Sequence, residues 1–192
     1  ARPLTPSLSP SEGERVPEGP VRGLSGSGQR SENIALNTHS PALHPHLRLP
    51  VTRGRNIERF APIEARFVRF SIFETTQLEP CIDELEAFTA GTEPRNVALA
   101  SHGTKPTASS VYPNNPYHKL EHINDGLYGN SRSWISQERG KGWVQLEFPK
   151  LERIDRVVWS RDRDEVPRYN DRTPTNYQIE VSRDGQTWQL VA

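Results

Sequence analysis

Cysteine occurs once in the 192 residues, and the charges cancel, with 24 basic and 24 acidic side chains. A single cysteine, Cys81, excludes an internal disulfide framework, and we interpret it as a buried thiol. The balanced charge argues against nucleic acid and against a membrane surface as partners. No apolar run approaches the roughly 18 residues that a membrane-spanning helix requires, so we expect no membrane insertion.

Methionine is absent altogether, including at position 1. We therefore expect the chain to be covalently part of a larger multidomain protein. On that interpretation, the missing signal peptide says nothing about export.

Aromatic residues are missing from residues 1–59, which contain eight of the seventeen prolines. Such a segment cannot bury enough apolar surface to offset the entropy of ordering it. We predict that residues 1–59 form a disordered leader or linker. Its three histidines, His39, His44 and His46, have a spacing that fits no closed metal site. Residues 2–23 resemble the translated form of dispersed bacterial repeat elements, which suggests a bacterial source.

From Phe60 onward the apolar runs are short and bounded by Pro, Gly or Asn, as in an all-β domain. Val144, Leu146 and Phe148 alternate with polar residues, which indicates a strand with one buried face. Pro149 is expected to end that strand, because proline cannot donate to a sheet ladder. We predict further strands at residues 65–74, 82–88, 154–159 and 177–181.

Several short motifs occur in the order and spacing of a known family. They lie at residues 96–98 (NVA), 107–110 (TASS), 124–126 (NDG), 134 (W), 142–146 (GWVQL) and 182–188 (SRDGQTW). Together they resemble the discoidin, or coagulation-factor type C, domain. The resemblance implies a galactose-binding-like jelly-roll β-sandwich, with residues 96–192 as its main body.

The family's domain continues after its last tryptophan through two closing strands. Residues 65–74 and 82–88 look like those strands, transposed to a position before residue 96. The chain holds either fragments of two successive domains or one circularly permuted domain spanning 60–192. We favour the second interpretation, because two broken sandwiches would expose apolar faces and unpaired edges.

The resemblance also implies a structural calcium ion. In the family, an aspartate corresponding to Asp125 binds it together with backbone carbonyls and a glutamate, which here corresponds to Glu84. Asn130 and Ser133 are further candidate ligands, since calcium takes six to eight oxygens. The alternative is that Asp125 only caps the turn that it begins.

A carbohydrate site built from loops at one rim of the sandwich is implied in the same way. Sugars bind through an aromatic face, with polar side chains taking the hydroxyls. The loop tyrosines Tyr112, Tyr117, Tyr128 and Tyr169 are therefore candidates, whereas we assign the four tryptophans to the core. Our predicted ligand-binding set is Asn115, Tyr117, His118, Arg161, Arg168, Tyr169 and Asn170. For two of these residues an alternative to ligand contact stays open. Arg161 could instead brace its loop through Asp162 or Asp171, and Tyr169 could instead anchor that loop.

The sequence contains no Ser-His-Asp order, P-loop, dinucleotide fingerprint or zinc spacing. The alternating charges of residues 161–172 indicate a solvated network rather than an acid/base pair. We therefore expect a non-catalytic glycan-binding module of a larger exported bacterial protein, located outside the cell, in the periplasm or at the cell surface. The alternative is a protein-interaction or assembly domain without a sugar site.

Overall fold

β-Strands dominate the part of the chain that the computed structural model describes, which is residues 49–192. The strands are β1 (Asn56–Thr75), β2 (Cys81–Ile82), β3 (Glu84–Thr89), β4 (Lys105–Ala108), β5 (Trp134–Ile135), β6 (Gly142–Ser160), β7 (Pro174–Ser182) and β8 (Gln189–Leu190). Short 3-10 helices lie at Ala100–His102, Leu120–Asn124 and Asn130–Arg132, and residues 49–192 contain no α-helix. The predicted all-β fold is confirmed. His39, His44, His46 and the predicted leader as far as residue 48 lie outside the described residues.

The two long strands, β1 and β6, organise the sandwich. They pair antiparallel from Asn56 opposite Trp159 to Ile72 opposite Gly142, with register shifts within residues 59–67 of β1. On the Asn56 side of these shifts, β6 also pairs with β3. On the Ile72 side, β4 pairs with β6, β7 pairs with β1, and β8 pairs with β7. Both long strands therefore bend, and their halves form two layers that face each other.

Side chains from both layers meet in one core. The ring of Phe70 in β1 lies 5.3 Å from that of Trp159 in β6, measured between centroids. Tyr177 of β7 lies 5.0 Å and 5.1 Å from these two rings. All three side chains are buried. Strands that precede residue 96 thus pair with strands that follow it and share their core; the circular permutation of the family's strand order stays a prediction.

The start of β1 differs from the prediction. β1 begins at Asn56 rather than near Phe60. The buried residues at this end, Asn56 and Glu58, are polar, so the apolar alternation that marks a strand is missing there. Asn56 Nδ2 donates to the Thr52 carbonyl at 2.7 Å, and Glu58 accepts the Tyr177 hydroxyl at 2.5 Å. Ordered structure therefore begins before the predicted boundary at residue 60.

Two other strand predictions also need correction. Pro149 does not end a strand but lies exposed within β6, in a stretch that has no partner in β1 and so needs no donor. The predicted strand at 82–88 is interrupted at Asp83. Ile82 pairs with Trp134 in a separate two-stranded sheet, whereas β3 starts at Glu84 and pairs with β6.

Candidate functional site

Three loops meet at one end of the sandwich, which we call the rim: residues 109–119, 125–133 and 161–173. The last of these joins β6 to β7 and contacts the segment that follows β1, where Thr76 N–H donates to the Thr173 carbonyl at 2.9 Å. Three non-glycine residues of the described chain have left-handed backbone, Leu78, Asn114 and Arg172, with φ of 58°, 56° and 61°. All three lie in loops at this end. Unfavourable backbone conformations of this kind concentrate at functional sites.

A cavity of about 250 Å³, the rim cavity, opens between these loops. It is lined by Tyr112, Asn115, His118, Asn130, Ile135, Arg161, Tyr169, Asp171 and Arg172. An adjoining cavity of about 470 Å³ shares Tyr112, Asn115 and His118 with it. Tyr112 and Tyr169 are 39% and 44% exposed. The rim cavity therefore combines accessible aromatic rings with amide, imidazole, carboxylate and guanidinium groups.

Arg161 is the buried centre of this arrangement, with 1% of its surface exposed. Its Nε donates to the Asp171 carbonyl at 2.8 Å, and its Nη2 donates to Asp171 Oδ1 at 2.9 Å. Its Nη1 donates to Asn130 Oδ1 at 3.0 Å, and its guanidinium carbon lies 5.4 Å from the centre of the Tyr169 ring. Arg161 thus joins two rim loops and orients Asp171 and Tyr169, which is the bracing role stated above as one alternative.

The charges around the rim cavity compensate one another. Arg172 forms an ion pair with Glu79, and its Nε lies 3.4 Å from Asp171 Oδ2. The hydrogen bond from Arg172 lowers the pKa of Glu79 below its usual range. Two guanidinium groups, those of Arg161 and Arg172, therefore face two carboxylates. This balance leaves no unpaired cation in the network to attract an acidic ligand.

His118 is held by Ser133 in one tautomer. The Ser133 hydroxyl donates to the Asn130 carbonyl at 2.8 Å, so its only proton is already committed. His118 Nδ1, 2.8 Å from Ser133 Oγ, must then be the donor, which leaves Nε2 as an acceptor. Burial, followed by the charges of Arg161 and Arg172, lowers the pKa of His118 below 6.5. The ring is therefore neutral at pH 7 and presents a lone pair.

Four of the seven predicted ligand residues, Asn115, His118, Arg161 and Tyr169, line the rim cavity. Tyr117 does not line it. Its side chain is 61% exposed, and its backbone N–H donates to Asn115 Oδ1 at 2.9 Å.

Arg168 and Asn170 also do not line the rim cavity. The backbone N–H of Arg168 donates to Asp162 Oδ2 at 2.7 Å, while the Asn170 carbonyl accepts the Thr76 hydroxyl at 3.0 Å. Both residues contribute backbone groups that shape the 161–173 loop.

Sequence reasoning missed the roles of several lining residues: Tyr112, Ile135, Asp171 and Arg172 were not in the predicted ligand set, and Asn130 was assigned to a metal. Tyr112 could have been included, because it is one of the loop tyrosines named as candidates. Asp171 and Arg172 directly follow Asn170, but alternating charges look the same in a solvated loop and in a buried network.

The predicted metal residues fall into two groups. Glu84 is fully buried, and its two carboxylate oxygens lie 3.2 Å and 3.3 Å from the Gly126 nitrogen, which donates to them. Burial, then the charge of Asp125, raises the pKa of Glu84 to about 9. Asp125 Oδ1 accepts the Leu127 N–H at 2.8 Å, which is the self-capped turn of the alternative interpretation, and Oδ2 accepts Arg132 Nη2 at 2.5 Å. Glu84 and Asp125 therefore both accept backbone N–H groups from the start of the 125–133 loop.

The other two candidates, Asn130 and Ser133, direct their side chains toward Arg161 and His118. Among residues 49–192, no group of three or more His, Cys, Asp or Glu side chains is placed to hold a metal ion. Calcium takes six to eight oxygens. Of the predicted ligands, only Glu84 and Asp125 remain at one loop, and both Asp125 oxygens already accept hydrogen bonds, from Leu127 and Arg132. The charges that act on the buried Glu84 carboxylate include those of Asp125, Glu86 and Asp83, all negative. A cation beside Glu84 would offset this negative charge.

Residues 49–192 thus form an all-β domain with a polar cavity between loops at one end. Residues 105–192 match the family model of the F5/8 type C domain, which confirms the resemblance to the discoidin family. F5/8 type C domains are carbohydrate- or protein-binding modules, generally non-catalytic and typically extracellular or at the cell surface. No curated protein and no solved structure gives a significant match to the chain. No helix within residues 49–192 is long and apolar enough to cross a membrane.

Proposed function

We propose that this chain is a non-catalytic module that binds an uncharged sugar in the rim cavity. The observation that carries the proposal is the placement of Tyr112 and Tyr169 around His118, Asn115 and Asp171. Carbohydrates need an apolar surface for their C–H groups and convergent hydrogen-bonding groups for their hydroxyls. The rim cavity supplies both.

Each polar group has a defined part in this proposal. His118 Nε2 accepts a hydroxyl proton, because Nδ1 is used by Ser133. Asn115 donates through Nδ2, since its Oδ1 already accepts the Tyr117 N–H. Asp171 accepts a further hydroxyl, and Arg161 beneath it keeps the carboxylate in place. The compensated charges favour a neutral sugar over an acidic one.

We also propose that Glu84 and Asp125, with backbone carbonyls of their loop, bind a structural calcium ion. The ion would supply positive charge beside the buried Glu84 carboxylate. Its role is to hold the 125–133 loop against β3, which supports Asn130 at the floor of the rim cavity.

The wider setting is proposed as well: a larger exported bacterial protein, with the module outside the cell, in the periplasm or at the cell surface. The family's typical extracellular or cell-surface location supports this setting. The resemblance of residues 2–23 to dispersed bacterial repeat elements supports the bacterial source.

A glycan array probed with the full chain tests the sugar proposal. Tyr169→Ala should weaken binding at least about tenfold, equal to about 1.4 kcal/mol. Tyr117→Ala is the matched control, because Tyr117 is an exposed tyrosine outside the rim cavity, and it should bind like the parent. A blank array from a chain with a cooperative unfolding transition would overturn the proposal.

That outcome would favour a protein-interaction or assembly domain instead. The observation in its favour is the exposed apolar surface of two of the rim loops, residues 125–133 and 161–173, where Leu127 and Val166 are 51% and 66% exposed. Gly129 lies beside Asp164, so the loops that carry these two residues are neighbours.

A further inference from the structure

A separate cleft of about 560 Å³ lies at the far end of β7 from the rim cavity. We call it the hairpin cleft. One wall is formed by residues 62–64 of β1, and the other by the hairpin that joins β7 to β8. Its lining consists of Pro62, Ile63, Glu64, Val181, Ser182, Arg183, Asp184, Thr187, Trp188 and Gln189. Its volume falls within the range of about 300–1,000 Å³ that is typical of small-ligand sites.

The bend in β1 creates this cleft. β1 pairs with β7 only as far as Phe67, which lies opposite Ser182. On the other side of the bend, β1 follows β6 into the second layer, so the two walls separate. The hairpin keeps its own shape, because Asp184 Oδ1 accepts the N–H groups of Gln186 and Thr187 at 2.8 Å each. The cleft is therefore bounded on both sides by hydrogen-bonded structure.

Trp188 provides a fixed aromatic surface in the hairpin cleft. The assignment of Trp143 and Trp188 to the core is wrong, because both side chains are only half-buried. Arg69 lies between them, with its guanidinium carbon 4.0 Å from the Trp188 ring centre and 5.2 Å from that of Trp143. Arg69 Nη2 also donates to Gln145 Oε1 at 2.8 Å. The Trp188 indole is thus oriented before any ligand arrives.

The polar groups of the cleft are accessible. Arg183 Nη2 and Glu64 Oε2 form an ion pair of 3.0 Å across the walls, with side chains 68% and 52% exposed. Exposed pairs of this kind contribute little stability, so their hydrogen bonds are readily exchanged for those of a ligand. Gln189 adds an amide. With Glu64, Asp184 and Arg183 as its charged groups, the lining has an excess of negative charge, which disfavours anions.

We propose that the hairpin cleft is a second ligand site, which binds a neutral sugar against Trp188 independently of the rim cavity. The aromatic surface, the exchangeable ion pair and the amide are the chemistry that a polyhydroxylated ring requires. β7 separates the two sites. Its nine residues extend about 30 Å at roughly 3.3 Å per residue. A chain with a site at each end binds two sugar residues at once and cross-links the glycans that carry them.

Nuclear magnetic resonance of the ¹⁵N-labelled full chain tests the proposal, with lactose, maltose and cellobiose as the probes. The indole N–H signal of Trp188 is assigned by its loss in Trp188→Phe. We expect at least one of the three sugars to shift this signal in a saturable manner. The combined change Arg183→Ala and Gln189→Ala should weaken that response at least about tenfold. Glucuronic acid should leave the signal in place.

The Tyr169→Ala variant separates the two sites. It should abolish the response of rim signals while the Trp188 signal continues to shift. Absence of a Trp188 shift with all three sugars would overturn the second site, whether or not rim signals respond. Loss of the Trp188 shift in Tyr169→Ala would also overturn it, because the shift would then report binding at the rim. A Trp188 shift without a rim response would support the cleft and contradict the rim proposal.

Discussion

Glu84 gives the sharpest stability prediction. This carboxyl group is fully buried on β3, with the Gly126 N–H as a hydrogen-bond donor and Asp125 as the charge that affects it most. Burial, with the Asp125 charge adding to it, raises its pKa from 4.5 to about 9. The folded domain without calcium therefore keeps a proton on Glu84 at neutral pH, whereas the unfolded chain does not. Unfolding releases that proton.

The sign and size of the effect follow from linkage. A carboxyl group with a raised folded pKa contributes most to stability below its unfolded pKa, and that contribution is lost as the pH rises toward the folded value. Between pH 6 and pH 8 the free energy of unfolding should fall by about 1.4 kcal/mol per pH unit, or about 3 kcal/mol in all. The Glu84→Gln variant keeps an oxygen acceptor for Gly126 but has no proton to lose, so it should lack this slope.

Urea unfolding of the full chain, followed by tryptophan fluorescence at pH 6, 7 and 8 in the presence of a chelator, measures the effect. Subtracting the Glu84→Gln slope from the parent slope removes the contribution of every other titrating group. Parallel slopes would mean that Glu84 is ionised in the folded domain, and the reasoning would fail.

Calcium adds a second comparison at pH 8. Binding should displace the Glu84 proton and restore the stability that the parent chain lost, because a ligand that binds only the folded state stabilises it. Glu84→Gln should respond less. An unchanged unfolding midpoint in the parent chain at millimolar calcium would contradict the proposed calcium site without affecting the pH argument.

Two further substitutions test the core and the rim. Phe70→Ala removes a fully buried ring that packs on Trp159 and should cost about 3–5 kcal/mol in urea unfolding, whereas Phe73→Ala, at a residue 50% exposed, should cost less than about 1 kcal/mol. Arg161→Met removes the hydrogen bonds to Asp171 and Asn130 and should weaken sugar binding. It should lower the free energy of unfolding by about 2 kcal/mol, less than the roughly 3–5 kcal/mol of a fully buried pair, because water reaches Asp171. Arg168→Met, at an exposed residue outside the rim cavity, should leave both measurements unchanged.

The fold was predictable where apolar residues alternate. Val144, Leu146 and Phe148 are all fully buried, as their spacing indicates. The prediction failed where polar residues take the buried positions, as Asn56 and Glu58 do at the start of β1. Periodicity measures hydrophobicity, so it misses a buried side chain that is stabilised by hydrogen bonds to distant residues. Pro149 illustrates a different limit: a missing N–H donor ends a strand only where a partner strand needs it, and the sequence does not show that residues 148–151 have no partner in β1.

The site was predictable only in part, for a related reason. His118 and Asn115 lie in a loop with many turn-forming residues, which indicates a surface position, although both side chains are half-buried. The part played by Asp171 depends on Arg161, ten residues earlier in the chain, and on Arg172 being held by Glu79. These partners are brought together by the pairing of β1 with β7, which no local pattern specifies.

A single structural feature accounts for both proposed ligand sites. Because β1 and β6 bend within residues 59–67 of β1, both ends of β1 reach the rim: Thr75 pairs with Pro174, and the carbonyl of Arg53, just before β1, accepts the N–H of Arg161 at 2.8 Å. The bend itself lies at the opposite end, where β1 leaves β7 and the hairpin cleft opens. A straight β1 would bring only one of its ends to the rim and would leave no gap beside Trp188. The two sites are therefore consequences of one irregularity in the pairing of the longest strands.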